Sequence, residues 1–379
     1  MPSYFPAVRY GGPIYSVHGL VRGLAERGHE VHVYTTNVNG SGISDVPLGQ
    51  PVDLEGVKVW YFPVTWPRRL YRAPKLVSRL RPMLSRNAVV HLHSVFLWPT
   101  WASATSSLSA KTAYVVSPRG MLVKALIRKR SRAIKSAWIR LIERSNLERA
   151  SAIHLTSQLE ATELERFRWK LPRCVVIPNG VEDPLARTGQ VAEDIRTITA
   201  AQPLVLFLGR LSWKKGLDQL LGAFARIRGG ALAIVGTDDE GLAPKLRMLA
   251  ADLGITDRVC ILPRTVIGVE REHLFAAARL FVLSSYSENF GNTVLEAMRR
   301  GIPIVTTPEV GAADIVQRSG GGIVTRSAQE PLGHAMDRFL QDANLARSMG
   351  EAGQRYVIAN YSWSRIAAQM EGLYQSLHS

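Results

Sequence analysis

Two short stretches carry residue types suited to binding a phosphorylated sugar. The first, Glu288-Asn289-Phe290-Gly291-Asn292-Thr293, follows an apolar run at Leu280–Leu283 and precedes Val294, Leu295 and Met298 at helical spacing. A helix start offers amide N–H groups and the positive end of the helix dipole to an anion such as a diphosphate. Gly291 lets a ligand approach the backbone. Glu288 before the helix and Glu296 within it place two carboxylates beside that anion site, where they could accept hydrogen bonds from sugar hydroxyls. The second stretch, Gly209-Arg210-Leu211-Ser212-Trp213-Lys214-Lys215-Gly216, follows the apolar run Leu204–Leu208. Arg210 and Lys215 flank a tight loop at the carboxyl edge of a sheet, where two fixed cations could hold a diphosphate. Plainer readings stand beside these. Thr293 to Glu296 also fits a capping box, and Glu288, Arg210 and Lys215 also fit a solvated surface.

The elements that must position these groups read as alternating strands and helices. Leu280–Leu283, the helix from Thr293 and the strand at Ile304-Val305 form a βαβ unit closed by Gly301 and Pro303. Leu204–Leu208 reads as a buried parallel strand, followed by a helix bearing Leu217, Leu220, Leu221 and Phe224. In the first half, Gly11-Gly12-Pro13 opens a helix with Val17, Leu20, Val21, Leu24 and Ala25 on one stripe. Paired glycines at a helix entry can cradle a phosphate, or serve only as a flexible lead-in. Strands are expected at Val31–Tyr34, Val57–Phe62, Ala88–Leu92, Ala113–Val116, Ala152–Thr156 and Cys174–Ile177. His91 and His93 then lie at a strand's carboxyl end, where an open α/β sheet binds ligands, although most such histidines are structural.

A chain of 379 residues suits two α/β domains better than one core. The formal charge is +16, and it is uneven: residues 1–185 hold 26 Lys and Arg against 12 Asp and Glu, the remainder 21 against 19. Any anionic surface this protein meets is therefore expected to meet the first half. Residues 121–144 form a basic amphipathic segment with Trp138, which reads as a membrane-surface element or as a solvated face. Asn87–Ala110 lacks charge, but Pro99, two histidines and many Ser and Thr argue against a membrane span. Cys174 and Cys260 lie in apolar runs and are expected to be buried free thiols in a reducing compartment. No signal-peptide pattern follows Met1. No G-x-G-x-x-G follows a strand, which argues against a dehydrogenase. A nucleic-acid binder would account for the charge, but no recognised module is present.

Glu288, seven residues and Glu296, with Asn-Phe-Gly between, resembles the Glu-x7-Glu signature of retaining glycosyltransferases of the GT-B fold, family 4. GRLxxxKG at Gly209–Gly216 resembles that family's donor-phosphate motif, and the Gly11-Gly12 loop, His91-Leu92-His93 and Pro178-Asn179-Gly180-Val181 also have counterparts there. The resemblance implies an α/β protein of two Rossmann-like domains facing across a cleft: residues 1–181 on the acceptor side, a linker over 182–203, a nucleotide-sugar domain over 204–360, and a helix over 361–379 returning to the first domain. It implies transfer of a sugar from a nucleotide diphosphate sugar to an acceptor hydroxyl with retention, in polysaccharide or glycolipid synthesis, with no cofactor and no bound metal. Glu288, Arg210 and Lys215 take the catalytic roles, with Glu288 on the donor sugar. Gly11, Gly12, Asn289, Phe290, Gly291, Asn292, Thr293 and Glu296 bind donor, Glu296 at the ribose diol. His91, His93 and Arg119 face the acceptor or transferred sugar. Arg119 stands in a Ser-Pro-Arg-Gly loop where many relatives have histidine. The implied partners are the donor and a lipid-linked or anionic acceptor, with no nucleic acid. The implied place is cytoplasmic, at the inner face of the plasma membrane through residues 121–144. The alternatives are a sugar-nucleotide epimerase of similar fold or an inactive truncated product. That last alternative arises because Met1–Val8 holds two prolines and no continuous apolar run, so the strand expected before Gly11 is missing and Met1 reads as an internal methionine.

Overall fold

The computed structural model describes residues 1–8, 11–40, 42–123, 137–200 and 203–378. They form two compact units, Met1–Gly180 with Trp363–Ser379, and Val181–Ser362.

The second unit is built on a six-stranded, wholly parallel sheet in the order Val259–Leu262, Ala231–Val235, Leu204–Leu208, Ala278–Leu283, Ile304–Thr306, Gly322–Val324. All five residues of Leu204–Leu208 are buried, as a strand covered by helices on both faces requires. The chain starts at this strand, winds outward to one side, then returns to lay Ala278–Leu283 against its other edge. That reversal opens a crevice at the carboxyl ends of these two strands, the place where open α/β sheets bind ligands. Glu193–Ala200, inside the stretch read as linker, is a helix that buries Ile195 and Ile198 in this unit's core. Two apolar residues three apart are too few to register as a period.

The first unit carries its strands in two separate main sheets. Pro51–Leu54 pairs antiparallel with Val57–Phe62, which pairs in parallel with His32–Thr36. Val89–His93, Ala113–Ser117, Ala152–Leu155 and Cys174–Val176 form a parallel sheet of four. No described residue before Gly11 belongs to a strand, as the prolines and broken apolar run led us to expect. Tyr4 instead inserts into the core, its Oη 2.7 Å from His18 Nδ1. The last helix, Trp363–Gln375, belongs to this unit. Its Trp363 ring lies against Gly19 and Gly180, where a Cβ would fall 2.1 and 2.6 Å from indole atoms, so only glycine leaves room.

One expectation needs correction. Cys174 and Cys260 are free but exposed, because Cys174–Val176 and Val259–Leu262 are the outermost strands of their sheets. Trp138, at the edge of the described part of the basic segment, is tied to the first unit. Its Nε1 donates to Glu143 Oε2 at 3.0 Å, an oxygen that also accepts from the Phe96 amide at 2.7 Å. Burial pushes the Glu143 carboxyl up while these hydrogen bonds oppose the shift. Residues 124–136, the centre of the basic segment, lie outside the described residues. Among the described residues no helix is long and apolar enough to cross a membrane.

Candidate active site

In the second unit the loops after Leu204–Leu208 and Ala278–Leu283 are bonded to each other at the crevice. Ser284 Oγ donates to the carbonyls of Lys215 and Gly216 at 3.3 and 3.2 Å, and the Tyr286 amide donates to Lys214 O at 2.7 Å. Gly216 has φ 60°, and a Cβ there would fall 2.3 Å from the Ser284 carbonyl oxygen. Any side chain at Gly216 would therefore separate the loops. Glu240 steadies the first loop from a third strand end: Ser212 Oγ donates to its Oε1 at 2.8 Å and the Trp213 amide to its Oε2 at 3.1 Å.

This junction brings Lys215 and Glu288 together as an ion pair, with both side chains mostly buried. Glu288 is itself fixed through its backbone, its amide donating to Glu309 O at 2.9 Å and its carbonyl accepting from Gly311 at 3.0 Å. Phe290 is buried and accepts from the Ala312 amide at 2.7 Å. Gly291 then caps the helix Asn292–Arg299 with φ 94°, and no side chain caps that helix start. A Cβ at Gly291 would lie 3.0 Å from Val310 Cγ1 and 3.2 Å from Leu283 Cδ2, so a larger residue would be strained in backbone and crowded in space. Arg210, five residues before Lys215, is exposed. Among the described residues its guanidinium has no hydrogen-bond or ion-pair partner.

The capping-box reading of Thr293 to Glu296 does not hold. With Gly291 as the cap, Glu296 stands too far along the helix to reach the cap amide. Its carboxylate pairs instead with Arg271 of the helix Gly268–Ala277. Asp238, which follows Ala231–Val235, accepts from the amides of Leu242 and Ala243 at 2.7 and 2.8 Å, the work of a loop-ordering acid. Glu240 and Arg271 were missed because their partners lie some 25 to 28 positions away, beyond the reach of any local pattern.

The remaining sequence-selected residues fall in the first unit. Gly11, with φ 66°, caps the helix Gly12–Glu26, where a side chain at Gly11 would meet nothing within 4 Å. His91 is within 2.6 Å of Tyr374 Oη on the last helix, and its ring stacks on His93 with centroids 4.2 Å apart. Arg119, at φ 54°, donates from Nη1 to Asn179 Oδ1 at 2.8 Å and approaches His93 Nδ1 at 3.4 Å. Burial draws the Arg119 guanidinium down to about 10, against the opposing pull of Glu160.

Burial, with neighbouring positive charge, also holds His91 and His93 well below the usual histidine range. His154, which reaches Ile177 O at 2.8 Å, is held at about 3, mainly by burial and then by Arg119. These three rings are neutral in the fold and accept protons on unfolding once pH falls below roughly 6.5. The unfolded state then binds more protons, so this contribution to stability is complete above roughly pH 6.5 and declines below it. The slope is at most about 1.4 kcal/mol per pH unit for each ring. Thermal melts should show a falling midpoint from pH 7 to pH 5; a flat or rising midpoint would contradict the assignment of neutral rings.

The model for "Glycosyl transferase 4-like domain" matches residues 11–180 and that for "Glycosyl transferases group 1" matches residues 192–356. An uncharacterized glycosyltransferase of Methanocaldococcus jannaschii is 26% identical over 98% of this chain and 96% of its own length. A GDP-mannose-dependent alpha-(1-6)-phosphatidylinositol monomannoside mannosyltransferase of Mycobacterium tuberculosis is 31% identical over 51% of this chain and 54% of that protein. Among solved structures, Anabaena HepE in complex with UDP-glucose superposes with a TM-score of 0.74 over 99% of this chain and 98% of that one, at 19% identity. The chain belongs to the glycosyltransferases of the GT-B fold and family 4 type.

Proposed function

We propose that this glycosyltransferase moves a hexose from a nucleoside diphosphate sugar to an acceptor hydroxyl with retention at the anomeric carbon. The observation that carries the proposal is the grouping of Lys215, Glu288 and the Gly291 helix start at the crevice of the second unit. When the sugar leaves the diphosphate, negative charge grows on the phosphate oxygen. Fixed cations and helix amides aimed at that oxygen stabilise the charge without reorganising. Lys215 and Arg210 supply the cations, and the backbone at Gly291–Thr293 supplies the amides, so this charge can be met without a metal ion. Glu288 holds donor sugar hydroxyls and Glu296 holds the ribose diol, with Asn289, Phe290 and Asn292 shaping the loop between them. On the first unit, Gly11 and Gly12 open a helix start suited to a phosphate, and His91, His93 and Arg119 serve the acceptor or transferred sugar. The acceptor is lipid-linked or anionic, in keeping with the basic first half, and the product enters a cell-surface polysaccharide or glycolipid.

The test is donor turnover in excess chelator, with the product's anomeric proton coupling read by NMR. The proposal expects unchanged turnover and an anomeric configuration matching the donor. An inverted product, or turnover abolished by chelator and restored by a divalent cation, would overturn it.

A further inference from the structure

Arg119 is a cation that its surroundings in the first unit leave poorly satisfied. Nη1 reaches Asn179 Oδ1 at 2.8 Å and Ser16 Oγ at 3.5 Å, while Nε and Nη2 both face His93 Nδ1 at 3.4 Å. Only the first of these contacts has the ordinary length of a hydrogen bond. Every acceptor is neutral, and among the described residues no carboxylate pairs with the guanidinium. Glu160 acts on Arg119 through its charge, but its oxygens are committed elsewhere. Oε1 accepts from the Gly120 amide at 2.6 Å, and Oε2 accepts from the Thr156 amide and hydroxyl at 2.8 and 3.0 Å. The guanidinium is covered enough for burial to draw it down to about 10, yet Arg119 keeps part of its surface open. A covered charge is costly unless an opposite charge pairs with it.

The backbone is constrained to hold this cation in place. Arg119 has φ 54°, a left-handed conformation that is unfavourable for a residue with a Cβ and persists where its surroundings enforce it, often at ligand sites. Here the clamp of Glu160 on Gly120 and the turn closed by the Met121 amide on Pro118 O at 3.2 Å enforce it. The groups around the guanidinium indicate which anion suits it. His91 stacks on His93 and lies edge-on to His154, and all three rings are neutral. The site therefore presents one positive charge among neutral groups, which a monoanion balances. A phosphate monoester, with a charge of about −1.5 to −2 at neutral pH, would leave surplus negative charge beside covered rings. A carboxylate also matches the planar fork of a guanidinium through two parallel bonds. The Nε–Nη2 edge, whose N–H groups now share one nitrogen at 3.4 Å, is the edge suited to it.

We propose that the sugar engaged by Arg119 is a hexuronate, a hexose oxidised at C6, whose carboxylate pairs with the Nε–Nη2 edge of this residue. The inference rests on the reading above that Arg119 serves the transferred sugar or the acceptor. A neutral hexose offers a hydroxyl at C6, which leaves the covered charge uncompensated, whereas the carboxylate forms charge-assisted bonds. Arg119 is then a specificity-determining residue, selecting one oxidation state of the sugar against the other.

The experiment compares sugars that differ only at C6, by calorimetric titration in two series. The donor series sets nucleoside diphosphate conjugates of glucuronate and galacturonate against those of glucose and galactose, on the base that the protein prefers. The acceptor series sets oligosaccharides ending in either hexuronate against their carboxyl-reduced forms, in the presence of the nucleoside diphosphate. Both series are run on the parent and on Arg119→Gln, with circular dichroism as the check on folding. The proposal expects a preference of at least tenfold for the carboxylate in one series, and its loss in Arg119→Gln with nucleoside diphosphate affinity unchanged. A preference among donors makes the hexuronate the transferred sugar; a preference among oligosaccharides places it in the acceptor. No preference in either series, a preference that survives Arg119→Gln, or weaker binding of the bare nucleoside diphosphate by Arg119→Gln would overturn the proposal. Should Arg119→Gln not fold, Arg119→Lys keeps the charge, lacks the fork and should lose most of the preference, and the parental preference alone still decides. A parent that binds the bare nucleoside diphosphate without preferring the carboxylate refutes this inference and leaves the donor reading standing; one that binds no nucleoside diphosphate refutes both.

Discussion

Replacing Lys215 by alanine is expected to lower donor turnover by about 10²–10³-fold, the loss seen when one fixed donor to a developing oxyanion is removed. The size follows from the place of the side chain. Lys215 is largely buried and already paired with Glu288, so its ammonium is pre-positioned and only partly screened by water. Its loss would remove the cation and leave the Glu288 carboxylate unpaired beside the site of the diphosphate, two effects of the same sign. Arg210→Ala should cost less in turnover, because Arg210 is exposed and its charge is screened until donor binds. Steady-state turnover with saturating donor reads the effect, and circular dichroism checks that the variant is folded. A folded Lys215→Ala enzyme with turnover within threefold of the parent would contradict the role.

The two carboxylates should separate under the same chemistry. Glu288 competes with any bound diphosphate for Lys215, so Glu288→Gln should leave nucleoside diphosphate affinity unchanged or raise it, while turnover falls about 10²-fold through loss of charge-assisted bonds to the sugar. Glu296, held by Arg271, is assigned to the ribose. Glu296→Gln should therefore weaken free nucleoside diphosphate and intact donor alike, by about 1.5–3 kcal/mol for a charge-assisted bond. Calorimetry on both variants tests this. Equal loss of nucleoside diphosphate affinity in the two would merge roles that the geometry separates.

The alternation of strands and helices was legible because parallel strands are unbroken apolar runs, as at Leu204–Leu208 and Leu280–Leu283, and because the chemistry-bearing loops follow them directly. The positions of Arg210, Lys215 and Glu288 just past the strand ends were legible for the same reason, since their loops follow those apolar runs directly. Local patterns erred where two explanations share a spacing. Thr293 to Glu296 has the spacing of a capping box, but Gly291 takes a left-handed φ and starts the helix earlier, which frees Glu296 for Arg271. His91 lies at a strand end as expected, but its contact with Tyr374 of the returning last helix was not legible. No window around position 91 contains that helix. Glu240 and Arg271 were illegible because an ion pair or loop bond across two strand ends leaves no trace in either segment alone. The split of the first unit's sheet, by contrast, was foreshadowed by Met1–Val8, whose prolines and broken apolar run are incompatible with a central strand.

The central claim is that the second unit's crevice binds the diphosphate of the donor through Arg210, Lys215 and the helix start at Gly291. Calorimetric titration of the protein with UDP, GDP and ADP, repeated on Arg210→Ala, tests it most directly. One nucleoside diphosphate should bind with clear preference, the corresponding nucleoside alone should bind far more weakly, and Arg210→Ala should weaken the diphosphate by at least tenfold while leaving the nucleoside unchanged. Absence of binding by all three diphosphates, or an Arg210→Ala protein with parental diphosphate affinity, would contradict the account.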